Sequence, residues 1–192
     1  GIDVVKSRYD SLGKLSSGSV LVIAEPLPGG KSEAIIRTLL KADTILLILP
    51  KWTGEPSRQK SGWLGKAELL SRADAAWVLR FVAPRADVLR SDEASWTTNT
   101  LGITPTLPAP IQLMRGGRLR PLIGDKDGML LGEISQGNAQ TILLSDPPKS
   151  PQRRSIVTRK RTICVLSDPD LIANHGSAAT GNAALAVTMF KH

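Results

Sequence analysis

Residues 19–50 read SVLVIAEPLPGGKSEAIIRTLLKADTILLILP, and this stretch sets the expected fold class. Residues 19–24 and 44–49 are short, continuous apolar runs, which are typical of strands buried on both faces. Between them, Ser32 can cap a helix that runs to about residue 42. The apolar positions of this helix share one face: Ile35, Ile36, Leu39 and Leu40. A strand, a helix and a strand at this spacing predict a right-handed parallel crossover.

The rest of the chain divides into segments that differ in composition and in their pattern of apolar residues. Residues 51–65 form a loop rich in Gly, Pro and Lys, residues 66–71 indicate a short helical turn, and residues 75–82 alternate like a strand. From about residue 87 to 145, short apolar runs are separated by glycine-containing turn signals. Such signals are typical of hairpins, so we expect an antiparallel β extension here. The apolar runs in question are 111–114, 119–123, 129–134 and 141–144.

Composition bounds the class of protein. The chain has 192 residues, of which 41% are hydrophobic, so a single globular domain over residues 1–192 is expected. Aromatic residues make up only 4%, so aliphatic side chains must fill the core. The chain begins without Met at residues 1–5, which resemble the middle of an α/β unit, and it ends inside the helical pattern 182–190. We therefore expect a domain truncated at both ends.

The positive charge is concentrated in one segment, which we interpret as a basic loop or insertion at 147–161. Six cations lie there, and removing them from the formal charge of +8 leaves +2. A solvated loop is the favoured interpretation, and contact with an anion, an anionic lipid or a nucleic acid is the alternative. The candidate contact residues are Lys149, Arg153, Arg154, Arg159, Lys160 and Arg161.

A second informative stretch covers residues 162–176, where an apolar strand runs into a group of short polar residues. Ligands gather at the carboxyl ends of parallel strands, so a site would be sought here first. The carboxylates and the imidazole can bind a cation or a polar ligand. Alternatively, Asp168 caps the next turn and Pro169 starts it. The candidate ligand-binding residues are Ser167, Asp168, Asp170, Asn174 and His175. No second His lies nearby in the sequence, so the pattern assigns no particular metal.

Three other patterns are weaker. Cys164 lies inside its strand, whereas a nucleophilic cysteine needs a tight turn after one, so we expect an inert buried thiol. Residues 29–32 imitate a phosphate loop, but Glu25 stands where that loop needs glycine. Trp52 and Trp63 accompany lysines and could stack on bases or sugars, although covering the edge of the core is the favoured interpretation.

The strand ending in Ala24-Glu25-Pro26 and the late segments 167–176 and 181–185 resemble an uncharacterised bacterial family, domain of unknown function 4350. The resemblance implies a class I glutamine-amidotransferase-like α/β fold, here without its catalytic cysteine. Members are typically tethered by a membrane helix that precedes the domain, and are often encoded beside MoxR-type ATPase components. The basic segment at 147–161 looks additional for the family.

Together these observations predict a three-layer α/β domain with a mostly parallel sheet, amidotransferase-like or flavodoxin-like, and an antiparallel extension. The resemblance, together with the missing catalytic cysteine, implies a non-catalytic binding or scaffold domain of a membrane-tethered bacterial protein, with no cofactor and no catalytic residue. A hydrolase-like site dependent on a metal or polar ligand is the alternative. The expected partners are other membrane-associated proteins, with nucleic acid disfavoured. The expected location is the extracytoplasmic side of the membrane, through an anchor outside this chain, and the fragment itself is expected to be soluble.

Overall fold

The computed structural model describes residues 19–40, 42–59, 64–138, 159–173 and 180–191. The described helices are α1 (Gly30–Leu39), α2 (Arg72–Leu79) and α3 (Thr180–Lys191), with a 3₁₀ turn at Pro169–Leu171. The described strands are β1 (Leu21–Ala24), β2 (Thr44–Ile48), β3 (Trp52–Pro56), β4 (Leu64–Leu69), β5 (Ala86–Ser91), β6 (Thr98–Asn99), β7 (Ile111–Gly116), β8 (Arg120–Gly124), β9 (Met129–Asn138) and β10 (Arg159–Leu166).

Eight strands form one mixed sheet, whose main path runs β1-β2-β10-β9-β7-β5, with β8 on β9 and β6 on β8. Strand β2 is parallel to both β1 and β10, whereas every other described pairing in this sheet is antiparallel. The predicted parallel pairing of β1 with β2 is confirmed. The predicted antiparallel region is confirmed over its described part, residues 87–138, whereas the predicted run at 141–144 lies outside the described residues. The expectation of a mostly parallel sheet is wrong, because β10 pairs with β9 of the antiparallel region on its other side.

Side chains from the two faces of the sheet enter different apolar clusters. Ile45 and Leu47 of β2 belong to a cluster that includes side chains of α1 and α2. Leu46 and Ile48 belong to a second cluster, which includes Leu185 of α3. Successive side chains of a strand point to opposite faces, so β2 contributes to both. Burying each such Leu or Ile fully stabilises the fold by about 1.5–3 kcal/mol.

Local structure between residues 66 and 82 differs from the sequence prediction. The predicted helical turn at 66–71 is strand β4, and the predicted strand at 75–82 is largely helix α2. Ser71 caps α2, since its side chain accepts a hydrogen bond from the amide of Asp74. Helix α1 also starts earlier than expected: Gly29, with φ of 149°, precedes its first residue, so Ser32 lies within the first turn.

Strands β3 and β4 form a separate antiparallel hairpin, with Trp52 opposite Leu69 and Glu55 opposite Lys66. Most of its described residues are exposed. Gly54 is packed so closely against the opposite strand that an added Cβ would overlap the carbonyl oxygen of Lys66. The hairpin therefore requires glycine at this position for steric reasons.

The substitution Gly54→Ala is expected to break the pairing of β3 with β4, because backbone atoms cannot yield as a side chain can. Hydrogen exchange should show lost amide protection in the hairpin. Gly30→Ala is the control, since an added Cβ there meets no atom within 4 Å. Unchanged hairpin protection in Gly54→Ala would contradict the described packing.

Within the described ranges, no helix combines the length and apolar character required to cross a bilayer.

Candidate functional site

The carboxyl ends of three parallel strands meet at one edge of the sheet. Ile48 of β2 lies opposite both Ala24 of β1 and Leu166 of β10. The residues that follow these strands are therefore brought close to one another. They include Glu25 after β1 and Lys51 shortly after β2, with the polar residues 167–170 after β10. This is the edge at which ligands bind in parallel α/β sheets.

Lys51, Asp168 and Asp170 form a buried charge cluster at this edge. The Lys51 Nζ atom lies 2.8 Å from Asp168 Oδ2 and 2.6 Å from Asp170 Oδ2. The exposed fractions of the three side chains are 0%, 0% and 1%. Taking charges out of water is expensive, and mutual attraction offsets that cost only when geometry and hydrogen bonding are good. The carboxylates therefore depend on Lys51 for their burial.

Further donors bind the two carboxylates. The indole Nε1 of Trp52 donates to Asp170 Oδ1 at 2.7 Å, and the backbone amide of Gln112 donates to Asp168 Oδ2 at 2.8 Å. Asp168 Oδ1 accepts from the amide of Asp170 at 3.0 Å, so Asp168 caps the 3₁₀ turn, with Pro169 as its first residue. The capping role considered for Asp168 from the sequence is confirmed.

A layer of polar side chains lies next to the cluster and holds the strand ends together. The Gln112 side chain is fully buried, and its Nε2 donates to the carbonyls of Ser167 and Pro50, at 2.7 and 3.1 Å. The Ser167 hydroxyl in turn has the Gln112 carbonyl within 2.7 Å as its nearest acceptor. Arg90 Nη2 donates to Gln112 Oε1 at 3.2 Å and to the carbonyl of Leu70 at 2.6 Å. Gln112 thus ties β7 to the ends of both β2 and β10.

The electrostatics of this edge favour proton uptake by carboxyl groups. Burial raises the pKa of Asp168 above its ordinary value of 3.8, although Lys51 and the Gln112 amide act in the opposite direction. Glu25 is exposed as a residue, yet partial burial of its carboxyl group raises its pKa, and the charges of Asp170 and Asp168 raise it further. Glu25 also has an unusual backbone conformation for a residue other than glycine, with φ of 44°.

The structure brings together three of the five candidate ligand-binding residues. Ser167, Asp168 and Asp170 are buried at the strand ends, while Asn174 and His175 lie outside the described residues. Each carboxylate oxygen of Asp168 and Asp170 accepts a hydrogen bond from a donor of the protein. Among the described residues, no group of three or more His, Cys, Asp or Glu side chains could hold a metal ion. In this arrangement the two aspartates form ion pairs with Lys51 inside the protein.

Cys164 is half-buried in β10, opposite Glu133 of β9. Burial, followed by the charge of Glu133, raises the pKa of the Cys164 thiol to about 11, while Arg120 opposes this shift. Only the thiolate is a good nucleophile, so this side chain is poorly suited to nucleophilic chemistry. The position and the pKa agree with the inert thiol that the sequence indicates.

Alkylation of Cys164 by iodoacetamide is expected to be about a hundredfold slower in the folded protein near pH 8 than in denaturant, because few thiols are ionised at a pKa raised this far. Cys164 is the only cysteine, so mass spectrometry can follow the reaction without interference. Equal rates with and without denaturant would show an accessible, ionised thiol and contradict the described environment.

The candidate anion-contact residues are described only in part. Lys149, Arg153 and Arg154 lie outside the described residues, and of Arg159 and Lys160 only the backbone in β10 is described. Arg161 is half-buried, and burial lowers the pKa of its guanidinium group while Asp43 opposes the shift. Its Nε atom is buried and has no hydrogen-bond partner among the described residues.

Two central residues of the site were not identified from the sequence. In the sequence, Lys51 and Trp52 lie in a segment that is predicted to be a loop of aromatic and basic residues. Gln112 lies within an apolar run, which predicts a strand and no site. Lys51 follows a buried parallel strand, just as Asp168 does, and this shared position was the available signal. Gln112 had no comparable signal, because its partners are backbone carbonyls distant in the sequence.

No family model, curated protein or solved structure matches this chain.

Proposed function

We propose that this chain is a non-catalytic binding or scaffold domain, with a three-layer, amidotransferase-like arrangement of its mixed sheet and helices. The observation that carries the proposal is the pairing of Asp168 and Asp170 with Lys51 in a water-excluded cluster. Carboxylates that act on a substrate or hold a metal need access to it, whereas these are 0% and 1% exposed. The raised pKa of Cys164 further argues against amidotransferase-type chemistry.

If the resemblance to domain of unknown function 4350 holds, the domain belongs to a bacterial protein that is anchored in the membrane, and it lies on the extracytoplasmic side. Its partners would then be other membrane-associated proteins.

The apolar clusters on both faces of the sheet support the layered arrangement, because they include side chains of α1 and α2 on one face and of α3 on the other.

The proposal is tested by assaying the purified domain for turnover of generic esters, phosphate esters and amides. We expect no turnover that depends on the buried charge cluster. Activity that is present in the wild type and lost in a folded Asp168→Asn variant would overturn the proposal. Asp74→Asn is the matched control, because Asp74 lies in the first turn of α2 and outside the cluster.

The alternative, a metal- or polar-ligand-dependent site, can be separated from this proposal by calorimetry with Ca²⁺, Mg²⁺, Mn²⁺ and Zn²⁺. Binding heat that disappears in Asp170→Asn would favour the alternative. Absence of heat at protein concentrations that detect micromolar binding would favour the internal ion-pair interpretation. Binding of nucleic acid or anionic vesicles through the basic segment would instead weaken steeply with salt.

A further inference from the structure

The segment that links α2 to β5 and the turn that links β7 to β8 meet on the surface of the protein. Ala86 of β5 lies opposite Gly116 of β7. An added Cβ on Gly116 would lie 3.0 Å from the carbonyl oxygen of Arg85. An added Cβ on Gly117 would lie 3.1 Å from the Cβ of Ala83. The β7–β8 turn therefore packs directly against the residues between α2 and β5.

These two segments carry four exposed arginines, which we name the arginine patch. Arg115 and Arg118 flank Gly116 and Gly117, whose φ angles are 78° and 69°. Glycine adopts such left-handed backbone readily, so the chain reverses tightly between the two arginines. The other two arginines follow α2, and one of them contributes the carbonyl against which the turn packs. The patch consists of Arg80, Arg85, Arg115 and Arg118.

The positive charge of the patch exceeds the negative charge beside it. Asp87 is the one carboxylate in segments 80–87 and 115–118, which together have a formal net charge of +3. It lies opposite Arg115 in the strand pairing, and its Oδ1 atom is 3.8 Å from Arg80 Nη2. Within the part of the chain that the structure describes, Arg85, Arg115 and Arg118 form no ion pair. Three guanidinium groups are thus exposed and available to an external anion.

The chemistry of the patch favours an acidic protein segment over a nucleic acid or a membrane. Single-stranded nucleic acids stack on aromatic rings, but the one aromatic residue here, Phe81, is half-buried and has the Trp77 ring 4.7 Å away. Membrane-surface contact combines basic with exposed apolar side chains, whereas the exposed large apolar residues of the described chain lie outside these segments. All four cations are Arg, which binds carboxylates through paired hydrogen bonds, and Arg clusters recognise acidic motifs.

We propose that the arginine patch is the surface through which this domain binds a segment of a partner protein rich in Asp and Glu. This inference deepens the proposed binding function and rests on it, since it gives the domain a surface and a partner chemistry. The patch lies at the opposite ends of β5 and β7 from Arg90 and Gln112. Partner binding there leaves the buried charge cluster closed.

The test is fluorescence anisotropy with a labelled Glu-Ser repeat peptide, and a Gln-Ser repeat peptide is the uncharged control probe. We expect the domain to bind the Glu-Ser peptide alone, with an affinity that falls as salt screens the exposed charges. Arg115→Gln combined with Arg118→Gln should weaken binding about tenfold, through the loss of two ion pairs. No binding of the Glu-Ser peptide at a protein concentration of about 1 mM would overturn the proposal.

A second double variant separates the patch from the overall positive charge. Arg58→Gln combined with Lys126→Gln removes the same amount of charge from exposed positions outside the patch, and should leave binding unchanged. Equal losses in the two double variants would show attraction to the whole chain rather than to the patch. Undiminished binding after loss of Arg115 and Arg118 would place the peptide elsewhere, and either result would overturn the proposal.

Removal of the acid in the patch should have the opposite effect. Asp87→Asn is expected to tighten binding of the Glu-Ser peptide, because it removes a repelling carboxylate and releases Arg80 from its ion pair. Asp92→Asn is the control, since Asp92 is exposed and follows the other end of β5. Unchanged or weaker binding in Asp87→Asn would contradict recognition of carboxylates at this place.

Other polyanions and the turnover assays complete the test. Tighter binding of a single-stranded DNA oligonucleotide or of phosphatidylserine vesicles, lost with Arg115 and Arg118, would overturn an acidic protein segment as the partner. Failure of the Glu-Ser peptide to bind, in a domain without turnover, would overturn the patch and leave the non-catalytic assignment standing. Turnover that depends on Asp168 would overturn the non-catalytic assignment, whatever the peptide does.

Discussion

Lys51→Met is expected to lower the free energy of unfolding by about 3–5 kcal/mol, because removing one partner of a buried ion pair leaves uncompensated charge. Lys51 Nζ is within hydrogen-bonding distance of two carboxylates that have almost no contact with water. Methionine fills a similar volume, so lost packing would be a minor contribution. Urea denaturation near neutral pH measures the effect as a lower midpoint with an unchanged slope.

Two comparisons separate this effect from the general loss of a lysine. Lys66→Met is the matched control: Lys66 pairs with Glu68 at the surface with an exposed fraction of 82%, and exposed pairs contribute about 0–1 kcal/mol. Adding Asp168→Asn and Asp170→Asn to Lys51→Met should recover part of the loss, since no buried charge then remains in the cluster. Equal losses in the Lys51 and Lys66 variants would show that Lys51 is not buried as described.

The same substitution has a consequence at acidic pH. Burial raises the pKa of Asp168 in the folded wild type, so protonation of Asp168 stabilises the fold relative to the unfolded chain. This stabilisation is fully present below the ordinary Asp pKa of 3.8 and is lost as pH rises through the folded-state pKa. Without Lys51, the cluster loses the charge that opposes this rise. The deficit of Lys51→Met relative to wild type should therefore shrink as the pH is lowered and the aspartates become neutral.

The sequence predicted the buried parallel strands because they are continuous apolar runs bounded by turn residues. The secondary structure predicted for residues 66–82 is wrong, because short segments carry little information about the period of their apolar residues. The apolar run at 75–79 fits a strand or a buried helix equally well. Ser71 with Asp74 three positions later was a usable signal for a helix start, and the structure shows that cap.

The arrangement of strands within the sheet was harder to predict than the strands themselves. Patterns within a segment do not specify which distant segment becomes its neighbour. Here β10 lies between β2 and β9, so one strand has a parallel neighbour on one side and an antiparallel neighbour on the other. The sheet is consequently mixed, although both kinds of region were expected from the sequence.

Asp168 and Asp170 follow the carboxyl end of a strand, as the sequence indicates, but their interactions depend on a residue far away in the chain. Asp168 and Asp170 resemble ligands in the sequence because the stretch 162–176 that contains them has no Lys or Arg. Lys51 is more than a hundred positions away in sequence and reaches them only through the parallel pairing of β2 with β10. Whether a carboxylate binds a ligand or an internal cation is decided by such distant contacts.

Gln112→Met is expected to lower the free energy of unfolding by about 2–4 kcal/mol, since each buried polar group left unsatisfied costs about 1–3 kcal/mol. Methionine is similar in volume but cannot donate to the carbonyls of Pro50 and Ser167, nor accept from Arg90. Because these carbonyls follow β2 and β10, the ends of both strands lose a shared support.

The control is Gln59→Met, which makes the same chemical change at an exposed position and should alter stability by less than about 0.5 kcal/mol. Thermal and urea unfolding of both variants, measured with wild type under the same conditions, give the comparison. Gln112→Met should also accelerate hydrogen exchange near the carboxyl ends of β2 and β10. A loss no larger than that of Gln59→Met would mean that Gln112 is not the link between β7 and the two parallel strands, and that the cluster is held by its ion pairs alone.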